Sequence, residues 1–199
     1  MNTPRTLSAQ LRKRFGTALR QSGVTLFELL VVMMIVAILA GIGIPTYRYI
    51  TTSSRMSGEM NALLGDLQYA RSEAVREGEP VTVCVAGSTT SPYSCAGTGA
   101  TSWQDGWIVF SDLSDNQTIG GNDAVLRVQP AFTDGDVFKS NQDVSSITFN
   151  REGFAYTGVS KVTITLTDSS GNVDYTRCMY IAESGMMTTT SHSMNTSCP

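Results

Sequence analysis

The chain has 199 residues, 14 Lys+Arg against 17 Asp+Glu, a formal net charge of -3 and 41% hydrophobic residues. This length suits one domain with an appendage, the apolar content excludes a disordered chain, and the mild acidity weighs against a dedicated nucleic-acid binder. With one histidine, His192, and four cysteines, there is little from which to build a catalytic triad, a His-rich metal centre or a disulfide-dense mini-protein.

The charges are segregated. Met1 to Gly23 carry Arg5, Arg12, Lys13, Arg14 and Arg20 and no acid, a charge of +5; the remainder carries nine basic and seventeen acidic residues, a charge of -8. Between them Val24 to Ile44 reads VTLFELLVVMMIVAILAGIGI, with Glu28 as its single charge. As a helix these residues would be about 32 Å long, the thickness of a bilayer's hydrocarbon core. Basic residues ahead of the run and an acidic remainder behind it predict a cytoplasmic N-terminus, with the rest outside, in a bacterium the periplasm. A secretory signal would have a shorter apolar core and a small-x-small cleavage site, but Pro45-Thr46-Tyr47 follows here. A plain anchor explains the length and leaves Glu28 unexplained. A carboxylate costs about 2–3 kcal/mol at the membrane centre and less near its edge, and it calls for a partner.

The cluster Ser22-Gly23-Val24-Thr25-Leu26-Phe27-Glu28-Leu29 resembles the class III signal of type IV pilins and type II secretion pseudopilins. The resemblance implies cleavage by a prepilin peptidase between Gly23 and Val24, removal of a cytoplasmic leader (1-23) and N-methylation of Val24. Glu28 becomes the fifth mature residue, the position this family keeps acidic, and Pro45 the twenty-second, where many members carry a helix-bending proline. The family more often starts its mature chain with Phe, so Val24 is a departure. In a filament the Val24 amine could meet Glu28 of a neighbouring subunit, each charge satisfying the other in an apolar core. Gly41, Gly43 and Pro45 weaken the helix locally, either as an unwinding segment or as an ordinary kink at the membrane edge.

After the membrane and filament-core segment (24-44), residues 45-78 become amphipathic. Met56, Met60, Leu63, Leu67, Ala70 and Ala74 form one helical stripe, with Arg55, Glu59, Asp66, Glu73 and Glu77 expected opposite and Gly78 and Pro80 as the stop. A helix continuous from Thr25 to about Glu77 would span roughly 80 Å. The head (79-199) reads as strands over Val81–Ala86, Gly106–Ser111, Ala124–Gln129, Ser146–Asn150, Lys161–Thr167 and Tyr175–Ile181, the fifth with clean alternation. The expected fold class is α+β, type IV pilin-like: a long N-terminal membrane-spanning helix packed on an antiparallel β-sheet head.

Within the head, Trp103, Gly106, Trp107, Phe110 and Asp112 form a W-x-x-G-W-x-x-F-x-D block that resembles the FimT/GspH branch of minor pilins and pseudopilins. Ile147 to Gly153 and Cys178 to Gly185 are also similar to that branch, so the resemblance covers nearly the whole mature chain. The two tryptophans also suit plain core packing. Cys84, Cys95, Cys178 and Cys198 permit three pairings. Cys84–Cys95 and Cys178–Cys198 are expected because each closes a short loop, and an oxidising periplasm permits them.

The resemblance implies a minor pilin or pseudopilin, a structural subunit of the tip or initiation complex of a type IV pilus or type II secretion pseudopilus. Its partners would be other minor and major pilins or pseudopilins, the prepilin peptidase, the inner-membrane assembly platform and the membrane itself. No enzyme activity, cofactor or metal is expected. The alternative is a DNA-binding minor pilin for natural transformation. Relatives of that kind carry arginines after the last strand; Ser184-Gly185-Met186-Met187-Thr188 has none, with Arg177 and Lys161 the nearest basic residues in sequence. Beyond residue 50 the chain has eight basic and sixteen acidic residues, so nucleic acid is not an expected partner.

Overall fold

The computed structural model describes residues 23–191 and Cys198. The basic leader ahead of Gly23, and His192, lie outside the described residues. The chain divides into two compact units, Met1–Pro45 and Thr46–Pro199. One helix, α1 (Leu26–Glu77), contributes to both.

In the first unit, the helix begins because Thr25 caps it. Its carbonyl accepts from the Leu29 N–H, and its Oγ1 accepts from the Glu28 N–H at 3.1 Å. From Gly23 to Pro45 every described residue is exposed, and Leu26 is 84% exposed. Among the described residues α1 is the one helix long and apolar enough to cross a membrane. It continues through Gly41, Gly43 and Pro45. Proline has no N–H to donate back one turn, so the helix is locally weakened there.

In the second unit, Met56, Met60, Leu63, Leu67, Ala70 and Ala74 are buried, as their spacing predicts. The strands are β1 (Val81–Ser88), β2 (Ser94–Cys95), β3 (Gly106–Ser111), β4 (Val125–Pro130), β5 (Val137–Ser140), β6 (Ser146–Phe149), β7 (Ala155–Tyr156), β8 (Lys161–Thr167), β9 (Arg177–Ala182) and β10 (Met187–Ser191). One sheet has the order β4-β3-β1-β6-β7, with β2 on β1; the other has the order β10-β9-β8-β5. The named strand pairings are antiparallel, so the α+β architecture of a long helix and antiparallel sheets stands.

Side-chain alternation gives the first sheet two apolar faces. Val81, Val83, Val85, Trp107, Val109, Ile147 and Phe149 join the helix stripe, together with Val162, Ile164, Leu166, Met179 and Ile181 from the second sheet. Cys84, Ala86, Ile108 and Phe110 point the other way and are covered by Ile119, Val125, Val128 and Cys95. Burying each large side chain contributes about 1.5–3 kcal/mol.

Four strands escape sequence reading. β2 and β7 are two residues long, while β5 and β10 are edge strands whose exposed polar positions blunt the apolar signal. Six expected strand boundaries move: β1 runs on to Ser88, β4 to Pro130 and β9 to Ala182, and three others move for local reasons. Asn150 leaves its strand because its Oδ1 accepts from the Glu152 and Phe154 N–H groups. Tyr175 belongs to a 3-10 turn capped by Asn172, so β9 starts at Arg177. Ala124 is drawn into the loop by reciprocal bonds with Ser111 and precedes β4. The expected clean alternation of Lys161–Thr167 also fails: Val162, Thr163 and Ile164 are buried in succession.

The acids expected on the polar face of the helix are a further correction. Glu59 and Glu73 are buried at 7% and 8% exposure. Asp66 is tied to Trp107 and Arg127. Sheets flank this helix on more than its apolar stripe, so the acids at the stripe's edges are drawn into contact.

Candidate assembly site

Glu28 sits in the exposed first turn of α1, where a negative charge is favoured by the helix dipole. Thr25 and Glu28 stand in the T-x-x-E spacing of a capping box. Thr25 therefore joins Glu28 at the helix start, a pairing that its sequence spacing makes visible. Gly23 and Val24 precede the helix, and both are exposed. The apolar side chains from Val24 to Ile44 are exposed.

The tryptophan block does something different. Trp103 and Trp107 are fully buried. The Trp103 Nε1–H donates to the Val144 carbonyl at 3.3 Å, and the Trp107 Nε1–H donates to Asp66 Oδ2 at 2.8 Å. Asp66 Oδ1 accepts from Arg127 at 2.9 Å, and the Arg127 guanidinium lies 3.6 Å from the centre of the Tyr69 ring. Trp107 packs on Phe132 and Phe138 with centroids 5.7 and 6.2 Å away. Gly106 has φ of +95°, and a Cβ there would run into the Gln129 carbonyl of β4. Phe110 fills the second core. Asp112 is fully buried and accepts from the Thr82 hydroxyl at 2.9 Å and from the Asn116 and Gln117 N–H groups at 3.0 and 2.8 Å. Every polar group in the block is therefore engaged in holding strands and loops together.

Cys84 is bonded to Cys95, and Cys178 to Cys198. The first bridge closes an 11-residue separation, a loop whose constraint contributes about 3 kcal/mol. A Cys84→Ala/Cys95→Ala double variant should lose about that much in denaturant unfolding, and an unchanged midpoint would show that the loop needs no bridge.

At the turn after β9 the structure supplies a cation that the linear sequence hides. Arg71 of α1 donates from Nε to the Gly153 carbonyl at 2.9 Å and from Nη2 to the Ser184 carbonyl at 3.3 Å. Gly185, with φ of +73°, packs so closely on Arg71 and the Gly153 carbonyl that a side chain would not fit. Arg177, one of the nearest cations in sequence, is bound to Ser53, Ser57 and the carbonyls of Asp174, Tyr175 and Thr176. Lys161 lies over the Tyr180 ring at 4.6 Å. Among the described residues no group of three or more His, Cys, Asp or Glu is placed to hold a metal ion.

A family model described as Prokaryotic N-terminal methylation motif matches residues 19–44. Two crystal forms of the Pseudomonas aeruginosa (strain PAO1) type IV minor pilin FimU are similar in structure. The P65 form is 23% identical, with TM-score 0.49, over 69% of this chain and 91% of that one. The P21 form is 20% identical, with TM-score 0.49, over 71% and 90%. No curated protein matches the chain. The family model described as Type II transport protein GspH matches residues 59–185, more than half of the chain, and the chain belongs to that minor pilin- and pseudopilin-like family.

Proposed function

We propose that this protein is a minor subunit that joins the tip or initiation complex of a type IV pilus or type II secretion pseudopilus. One observation carries the reading: the stretch of helix from Leu26 to Ile44 is apolar and exposed, and it bears a single acid, Glu28, in its first turn. Water is a poor solvent for such a surface; a bilayer or a bundle of similar helices suits it. The tryptophan block of the head, by contrast, is spent on packing and on bonds that hold strands and loops together.

In this reading the basic leader holds the N-terminus in the cytoplasm of a bacterial inner-membrane protein, with the head periplasmic. A prepilin peptidase cuts between Gly23 and Val24 and methylates Val24. The subunit then leaves the bilayer through the assembly platform. Glu28 takes up the terminal amine of a neighbouring pilin or pseudopilin, and Gly41, Gly43 and Pro45 give the helix a point of local yielding. The DNA-binding alternative gains no support from the geometry: the cations around the turn at Ser184 are occupied by carbonyls, hydroxyls or a ring.

Mass spectrometry of the protein from cells containing the peptidase tests the first step. The mature chain should begin at Val24 and carry one added methyl group. A chain that retains Met1 to Gly23 would overturn the reading.

A further inference from the structure

Among the described residues, Glu59 and Asp136 are the one buried carboxyl pair of the second unit with oxygens that lack partners. Glu59 lies on α1, one turn beyond Arg55; Asp136 lies in the segment between β4 and β5. They are 7% and 3% exposed. Asp136 Oδ1 accepts from Arg55 Nη2 and from the Ser169 N–H, both at 3.0 Å. Asp134 meets the same guanidinium at 3.5 Å. Yet Glu59 Oε2 and Asp136 Oδ2 are both buried with no hydrogen bond.

The groups facing Glu59 are Arg55 from its own helix, and Asp134 and Asp136 from the facing segment. Asp168, on the adjoining turn, is already saturated by the Ser170 N–H and hydroxyl and the Asn172 N–H. Three carboxyl groups therefore surround one guanidinium. With Glu59 and Asp136 both ionised, two buried negative charges would face each other, each with an orphan oxygen. One proton removes both problems. It neutralises Glu59 and gives its O–H an acceptor in Asp136.

We propose that Glu59 and Asp136 share a proton, and that this carboxyl–carboxylate bond is a pH-sensitive latch fastening the Ala131–Asp136 segment to the helix. Burial, first, and then the charge and hydrogen bond of Asp136 push Glu59 up to about 7, against a partial opposing effect of Arg55. The folded state thus keeps a proton that the unfolded chain, with an ordinary value of 4.5, releases. The latch's contribution is complete below that ordinary value and is lost as the pH rises through about 7. A bound cation is the rival way to satisfy two such oxygens. The Arg55 guanidinium already fills the cationic role there, and no metal-holding group of three occurs among the described residues.

The test uses the full chain in detergent micelles, with unfolding followed by the fluorescence of Trp103 and Trp107. The wild-type Tm should fall between pH 5 and 7.5. Glu59→Gln, whose amide can donate permanently to Asp136, should flatten that fall and melt about 3–5 °C higher at pH 8. Glu152→Gln, at an exposed ion pair with Arg151, should keep the wild-type slope. An unchanged slope in Glu59→Gln would overturn the latch. Should that variant fail to fold, the wild type still decides: the Glu59 carboxyl carbon, followed by carbon-13 NMR, should titrate near 7, and a midpoint near 4.5 would refute proton sharing. Calcium chloride at pH 8 should leave the Tm unchanged; a rise in the wild type that is absent from Glu59→Gln would replace the shared proton by a cation site.

Discussion

Replacing Trp107 by alanine should destabilise the head by about 3–5 kcal/mol, the range for emptying a buried aromatic site. The side chain is fully buried, packs on Phe132 and Phe138, and bonds Asp66 across from the helix. Its removal empties the place where the helix, the first sheet and β5 meet. It also leaves Asp66 with Arg127 as its remaining partner in this contact. The expected drop in Tm is about 6–20 °C, measured by near-UV circular dichroism with Trp103 as the surviving probe. Trp107→Phe separates the two contributions: it retains a ring and loses the N–H···O bond, so it should cost about 1–3 kcal/mol. If alanine and phenylalanine were equally destabilising, ring packing would have no share. If neither changed the Tm, the block would not organise this core.

Glu28→Ala should leave membrane insertion and peptidase cleavage intact and reduce incorporation into filaments more than 100-fold. The magnitude follows from the proposed pairing. Removing one partner of a buried ion pair leaves the other charge uncompensated, at a cost of about 3–5 kcal/mol, and every 1.4 kcal/mol is tenfold. A local helix effect does not account for a loss of that size. The Thr25 cap uses the backbone N–H of residue 28, which alanine keeps, and losing the favourable charge at the helix start costs about 0.3–1 kcal/mol. Glu28→Gln, which retains shape without charge, should behave like alanine. The measurement is the ratio of subunit in sheared filaments to subunit in membranes, by immunoblot. Equal ratios for wild type and variant would remove the assembly role of Glu28.

These two residues mark the range of what could be read from the chain itself. Glu28 stood out because it is the single charge in 21 residues, a linear property that needs no fold. The same holds for Met56 through Ala74, whose spacing alone named the buried face, and for β3 and β8, whose limits matched. Trp107 was legible only as a member of a block. Its partner Asp66 lies 41 residues earlier, on a face of the helix read as solvent. Arg71 is a stronger case. It sits 113 residues from Ser184, and only folding shows that a cation lies under the turn where none was visible in sequence. Glu59 was misread for the same reason: a one-helix projection assigns each residue an inside or an outside, whereas the edges of a stripe are settled by what packs beside it.

Local sequence thus determined the membrane-length apolar segment, the place of the acid within it, the amphipathic stripe and the antiparallel character of the head. All of these depend on interactions between residues a few positions apart, or between side chains and solvent. Tertiary structure decided which strands lie at the sheet edges, which helix acids are buried, and which cations are already engaged. Those outcomes depend on pairs brought together from as far as 124 residues apart. No periodicity encodes such pairs, because the free energy that selects them arises only when the helix and both sheets close on a common core.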